Sequence, residues 1–236
     1  MPRTPRKSQT HFSRPAPTAV LYDLSVPDEA TIHVPAGSKW TSGPHWHESH
    51  TEFLRVLSGR AFIILGERSF VAGPDDETVT VPRGVVHEWM RVFVGEEEDA
   101  VTEGGRGGKG EELVVREWTE PRDGGKEVFF RNLNGIILDA TAKTETGWRR
   151  RWGDKMLELD LWNLFWRADN YPVVWGTGFV GGVATKVVMG AAVALGWVLG
   201  FKGVYKEYAL ERKSFLPTHD AKRDFGVDPT GSAPSV

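Results

Sequence analysis

The stretch GPHWHESHTEFLRVLSG places His45, His47 and His50 close together, follows them with Glu52 and ends at Gly59. Further on, VPRGVVHEW supplies His87 behind Pro82 and Gly84. In an extended strand, residues two apart share a face, so His45 and His47 can present two imidazoles side by side. Neutral imidazoles with a carboxylate suit a borderline first-row metal such as iron, manganese, nickel or zinc. Glu52 follows His47 by an odd offset, so a bulge or turn near Ser49 must restore the parity. A centre of this kind can act as a Lewis acid, template an anionic substrate, or support oxygen chemistry if iron is bound. The alternative is that these histidines are surface or core residues holding no metal. His50 is expected at the rim rather than as a fifth ligand.

These spacings resemble the cupin superfamily, whose first motif reads H-x-H, three or four residues, E, six residues, G. Here the pattern is His45-x-His47, four residues, Glu52, six residues, Gly59. The second motif reads P-x-G, two residues, H, three residues, N. Pro82, Gly84 and His87 fit it, while Arg91 stands at the asparagine position and Lys39 replaces the glycine expected before the first histidine. The resemblance covers roughly Pro35 to Phe93. It implies a mainly β fold, a single jelly-roll barrel, with His45, His47, Glu52 and His87 as metal ligands. The ion would be divalent, Fe(II) or Mn(II) first, with Zn or Ni as alternatives.

The second motif also suggests a substrate face. On a strand over Val85–Val94, His87, Trp89, Arg91 and Phe93 alternate onto one side. Arg91 could fork onto a carboxylate, phenolate or enolate oxygen, with Trp89 and Phe93 beside it as substrate-binding residues. The other reading pairs Arg91 with an internal glutamate or leaves it at the rim. Glu52 and Arg91 are the candidates for assisting proton movement or stabilising charge. Trp46 faces away from its neighbouring histidines by parity.

The elements that must position these groups are short runs bounded by Gly, Pro and Asp. They are AVLYDLSV, ATIHVP, Glu52–Leu57, Ala61–Leu65, Phe70–Ala72 and Thr78–Val81, with a closing strand over Glu112–Trp118. Such spacing suggests a sandwich or jelly roll, spanning residues 18–120. His33 is expected to face the barrel without acting as a ligand. Residues 1–17, basic and Pro-rich with no acidic residue, read as a disordered arm. The Gly95–Lys126 stretch reads as a surface loop, because GGRGGKG lacks the spacing of a phosphate-binding loop.

From Glu127 the period changes. Phe129, Phe130, Leu133, Ile137 and Ala140 predict an amphipathic helix, and Met156–Trp166 predicts another. A helical region is thus expected over 127–212, followed by a flexible tail over 213–236. Within it, Val173–Phe201 is apolar and Gly-rich, with Lys186 its only charge. Its length permits a membrane span, but a charge near the middle opposes one. A re-entrant or interfacial segment, a buried helix and a homodimer contact are the alternatives. The basic WRRRW stretch supports interfacial docking, or is simply a solvated helix end.

Net charge is −3, which argues against a nucleic-acid partner. There are no cysteines, so disulfides and thiolate metal sites are excluded. No secretory signal is visible, and the expected location is cytoplasmic, with membrane contact through 173–201. Of ten tryptophans, six lie from Trp148 onward, where they need a core, an interface or a membrane boundary. The resemblance implies dioxygenases, oxalate-type decarboxylases, oxidases and isomerases, and the small barrel with an apolar helical tail looks like fungal cupins found with natural-product enzymes. The expected function is metal-dependent chemistry on a small anionic, aromatic or lipophilic substrate. The alternative is a non-catalytic metal- or ligand-binding module attached to a membrane or partner by its tail. A seed-storage-type assembly would need a second barrel, and no second copy of the motif is present.

Overall fold

A computed structural model describes residues 3–92, 111–142 and 147–209, the side chains of 148 and 149 excepted. The elements run β1 (His11–Arg14), β2 (Val20–Asp23), β3 (Glu29–Val34), β4 (His45–Trp46), β5 (Thr51–Ser58), β6 (Ala61–Leu65), β7 (Arg68–Ala72), β8 (Val79–Val81), β9 (His87–Arg91), β10 (Leu113–Glu120), α1 (Gly125–Thr141), α2 (Gly147–Arg167), β11 (Tyr171–Pro172) and α3 (Gly178–Leu199). Two antiparallel sheets face each other, one ordered β1-β2-β3-β10-β5-β8 and the other β11-β4-β9-β6-β7. This is the jelly-roll barrel expected from the short alternating runs.

Alternation decides what fills the barrel. On β5, Glu52, Leu54 and Val56 are buried while Phe53 and Arg55 are only partly so. On β10, Leu113, Val115, Glu117 and Thr119 point inward. Both strands therefore set a carboxylate into a mostly apolar face. Outside, Phe53 stacks on Trp118 at 5.4 Å. Gly59, the last residue of the first motif, has φ of 73°, and a Cβ there would lie 2.5 Å from the Glu112 carbonyl oxygen. The turn between β5 and β6 thus requires glycine both for its left-handed backbone and for close approach to the chain before β10.

The helices are not a separate layer. α1 and α2 add Phe129, Phe130, Ile136 and Leu164 to the same apolar core as Tyr22, Leu54 and Trp89. Gly135 of α1 lies flush against Tyr208, whose ring would be 2.6 Å from an added Cβ. β11, from the link between α2 and α3, extends the smaller sheet by pairing with β4.

Two expectations meet a different outcome. Residues 3–14 do not form a free arm: β1 pairs with β2, and Phe12 is fully buried. Arg3 reaches Asp160 at 2.5 Å and Arg6 reaches Asp139 at 3.0 Å, so the basic residues that suggested disorder are held by acidic partners on α2 and α1. His33 faces outward beside Glu112 rather than into the barrel, because Ala30, Ile32 and Val34 take the inward face of β3. The expected tail over 213–236 and residues 95–110 of the expected loop lie outside the described residues.

Candidate metal centre

The two-residue strand β4 places His45 next to His87, its register partner on β9. The chain then leaves the ladder at His47 and bends at Glu48 and Ser49, which is the parity break needed to bring Glu52 of β5 onto the same face. One ligand atom from each of His45, His47, Glu52 and His87 lies within 4.8 Å of the others, and all four residues are buried. Glu52 sits between two imidazoles, with Oε2 3.0 Å from His47 Nε2 and Oε1 3.2 Å from His87 Nε2. The His45 ring lies 4.2 Å from that of His87, centroid to centroid.

The other ring nitrogens fix which atoms face inward. His45 Nδ1 lies 2.7 Å from the Gly43 carbonyl oxygen, His47 Nδ1 lies 2.6 Å from that of Asp169, and His87 Nδ1 lies 3.1 Å from that of Val85. A carbonyl oxygen only accepts, so each Nδ1 carries a proton and donates it. In the neutral tautomer each Nε2 then has its lone pair free. This backbone-oriented imidazole is the arrangement found around metal-ligating histidines. Cis ligands on a first-row ion with bonds near 2.1 Å are about 3 Å apart, which matches the two Nε2–carboxylate separations. The donor set fits a divalent ion.

The charge balance agrees. Burial alone would raise the pKa of Glu52, but the Lys126 ammonium and the adjacent imidazoles hold it well below the usual range, so the carboxylate is ionised. Burial lowers His45, and the neighbouring rings of His87 and His47 lower it further. Burial opposes the charged form of His87 too, but the Glu52 carboxylate outweighs it and the pKa rises.

Two groups behind Glu52 were not foreseen from sequence. Lys126, in the first turn of α1, donates to Glu52 Oε2 at 2.6 Å and also to Glu117 of β10. Burial and the repulsion of Glu52 push Glu117 up to about 7, against the pull of Lys126. The sequence placed Lys126 at the end of a surface loop; instead the turn at Asp123–Gly124 starts a helix that drives the ammonium inward. The only local signal was a lysine just ahead of an apolar periodic run.

A third contributor is Asp169, which follows α2 with φ of 52°. Its carboxylate accepts the amide N–H groups of Glu48 and Ser49 at 2.9 and 2.7 Å and faces His50 Nδ1 at 2.8 Å. His50 is therefore a rim residue, held between Asp169 and Asp123. Asp169 thus ties the bend carrying His47 to the end of α2. Trp46 points away from the cluster and stacks on Tyr171 at 5.5 Å.

The substrate face expected on β9 is not assembled at this centre. Arg91 pairs with Ala61 while His87 pairs with Leu65, so the two lie about 13 Å apart along the strand. Between them Trp89 is 1% exposed and packs edge-on against Trp40 at 4.8 Å, which makes it a core residue. Phe93 lies outside the described residues. A surface pocket of about 340 Å³ lies elsewhere, between Trp46, Gly84 and Val86 on the barrel and Phe179, Val183 and Lys186 of α3.

Residues 30–101 match the family profile described as a cupin domain. The oxidoreductase OpS7 of Beauveria bassiana (strain ARSEF 2860) is 23% identical over 224 residues, covering 87% of this chain and 68% of that protein. Among solved structures, the capsular polysaccharide assembling protein CapF of Staphylococcus aureus is 18% identical, with a TM-score of 0.33 over 48% of this chain and 32% of its own. The chain thus spans about a third of the length of CapF. KdgF of Halomonas sp. is 16% identical, with a TM-score of 0.32 over 52% of this chain and 97% of its own. A predicted oxalate decarboxylase of Thermotoga maritima is 16% identical, with a TM-score of 0.33 over 49% and 97%. The double-sheet barrel that carries His45, His47, Glu52 and His87 has the cupin fold, as the match over residues 30–101 implies.

Proposed function

We propose that this chain is a divalent-metal-dependent cupin enzyme of the oxidoreductase class, acting on a small anionic, aromatic or lipophilic molecule. The observation that carries this reading is the convergence of three backbone-oriented imidazoles and one ionised carboxylate inside the barrel. The likeness to a fungal protein named as an oxidoreductase, over most of this chain, favours redox chemistry over isomerisation.

His45, His47 and His87 would hold the ion through Nε2, and Glu52 through a carboxylate oxygen. When bound, the ion would supply a Lewis-acidic, and with iron or manganese a redox-active, site for an anionic oxygen of the substrate. The chain's own groups do the rest. Gly43, Asp169 and Val85 fix the ring orientations through their carbonyl oxygens. Lys126 holds Glu52 ionised and turned toward the imidazoles. Trp89, two residues from His87 on β9, packs on Trp40 in the buried apolar core.

The test is metal analysis of the purified protein, followed by oxygen uptake with phenolic and keto-acid substrates on protein loaded with Fe(II) or Mn(II). Substrate-dependent uptake that disappears in His87→Ala supports the reading. Bound metal with no turnover of either class would favour the second reading, a metal-binding module without catalysis. That reading draws its support from a pocket lying outside the four-residue cluster.

A further inference from the structure

α3 is the one helix among the described residues long and apolar enough to cross a membrane by length and composition, with a mean hydropathy of 1.7 over its most apolar window. Only 17% of that window is buried. Gly181, Thr185, Met189 and Gly196 form a single buried stripe along the helix. Gly196 lies against Asn163 of α2, and a Cβ at Gly181 would meet the Gly176 carbonyl oxygen. Opposite the stripe, Val180 is 76% exposed, Val187 66% and Val198 71%. Trp197, near the C-terminal end, and Trp175, just before the helix, are 81% and 76% exposed.

At 100° per residue, the exposed apolar residues sweep about 180° of the helix circumference. The helix is about 33 Å long and about 10 Å across, so this half-cylinder offers on the order of 500 Å². A stable dimer needs about 800 Å² from each partner. A second helix laid on a convex half-cylinder would moreover cover only a stripe of it, whereas a fluid hydrocarbon surface can cover all of it. The lone charge, Lys186, stands at the edge of the apolar arc and pairs with Glu48 of the barrel at 2.7 Å. Charge points the same way: residues 147–209 hold eight Lys and Arg against five Asp and Glu, net +3, in a chain whose total is −3. Arg150, Arg151 and Lys155 are exposed on α2, and exposed indoles near both ends of α3 suit the headgroup boundary.

We propose that the outer face of α3 docks this protein on an anionic lipid bilayer, with the helix lying in the plane of the interface rather than crossing it. Crossing would require α3 to leave the body, or to draw α2, whose Asn163 packs on Gly196, into hydrocarbon with it. In-plane docking keeps the buried stripe and the Lys186–Glu48 pair intact while covering the opposite face. This inference is independent of the metal centre.

The experiment is flotation of the full chain with vesicles of phosphatidylcholine, with and without phosphatidylserine. The chain has no native cysteine, so an environment-sensitive fluorophore can be attached singly in Val180→Cys, Val187→Cys and Val198→Cys. The expected result is flotation that increases with phosphatidylserine, with all three probes at the same shallow depth. V187E combined with V198E, both at exposed positions, should lower the bound fraction by about tenfold or more without changing the melting temperature. Probes at graded depths would overturn the in-plane assignment in favour of a span. A dimer by light scattering that V187E dissociates, with no flotation, would overturn it in favour of a second copy. A monomer whose probes all stay in water would overturn it outright.

Discussion

Lys126→Met removes an ammonium that lies between Glu52 and Glu117 with its side chain 6% exposed. The methionine is close in volume, so the change acts mainly through charge. Two buried carboxylates are left facing each other without their shared cation. Removing one partner from a buried ion network costs about 3–5 kcal/mol. In a chain of this size each kcal/mol shifts the melting temperature by about 2–4 °C, so the variant should melt roughly 6–20 °C below the parent protein in a metal chelator. The compensating change K126M/E117Q, which leaves a single carboxylate, should recover a large part of that loss. A divalent ion bound by Glu52 replaces positive charge at the same carboxylate, so metal should stabilise K126M more than it stabilises the parent. The assay is a thermal melt by circular dichroism at pH 7, with chelator and with added Mn(II) or Zn(II). A K126M protein that melts within about 2 °C of the parent in chelator, less than the shift expected for 1 kcal/mol, would refute the reasoning.

Asp169→Ala removes the acceptor for two amides of the bend carrying His47. It should weaken metal binding by about 10–100-fold, as loss of an orienting partner does elsewhere, with the helical circular-dichroism signal unchanged; titration with a competing chelator measures it. Asp139 accepts from the Thr4 amide, Arg6 and Tyr208, and these bonds outweigh burial to hold its pKa below the usual range. Its stabilisation is therefore complete above the unfolded value near 3.9 and is lost as pH falls through the depressed native value. Asp139→Asn should cost about 1–2 kcal/mol at pH 7 and should flatten the acid limb of a denaturation series between pH 5 and pH 2.

The barrel and the four-residue cluster were legible because both rest on local spacing. Period-two alternation marked β5 and β10, and the His45, His47, Glu52 and His87 spacings reflect a ladder that pairs His45 with His87. The helices were legible from their period, although α2 begins well before the expected Met156. What the sequence hid depends on contacts distant along the chain. Lys126 resembles a loop lysine until β10 and α1 fold it against Glu52, 74 positions earlier. Asp169 resembles a helix terminator until it meets Ser49, 120 positions away. Arg91 shares a face with His87, but parity alone does not say how far along the strand a side chain lies from the centre. The basic arm lacked any acidic residue of its own, and its partners Asp139 and Asp160 stand on helices.

The most direct test of the central claim is elemental analysis of the purified chain alongside His47→Ala and His87→Ala, after loading with Fe(II), Mn(II) or Zn(II) and removing excess ion. Stoichiometric metal in the parent and its loss in both variants, with their β-sheet spectrum retained, is the predicted result. Equal metal content in all three proteins, or none in the parent with any of the ions, would contradict it.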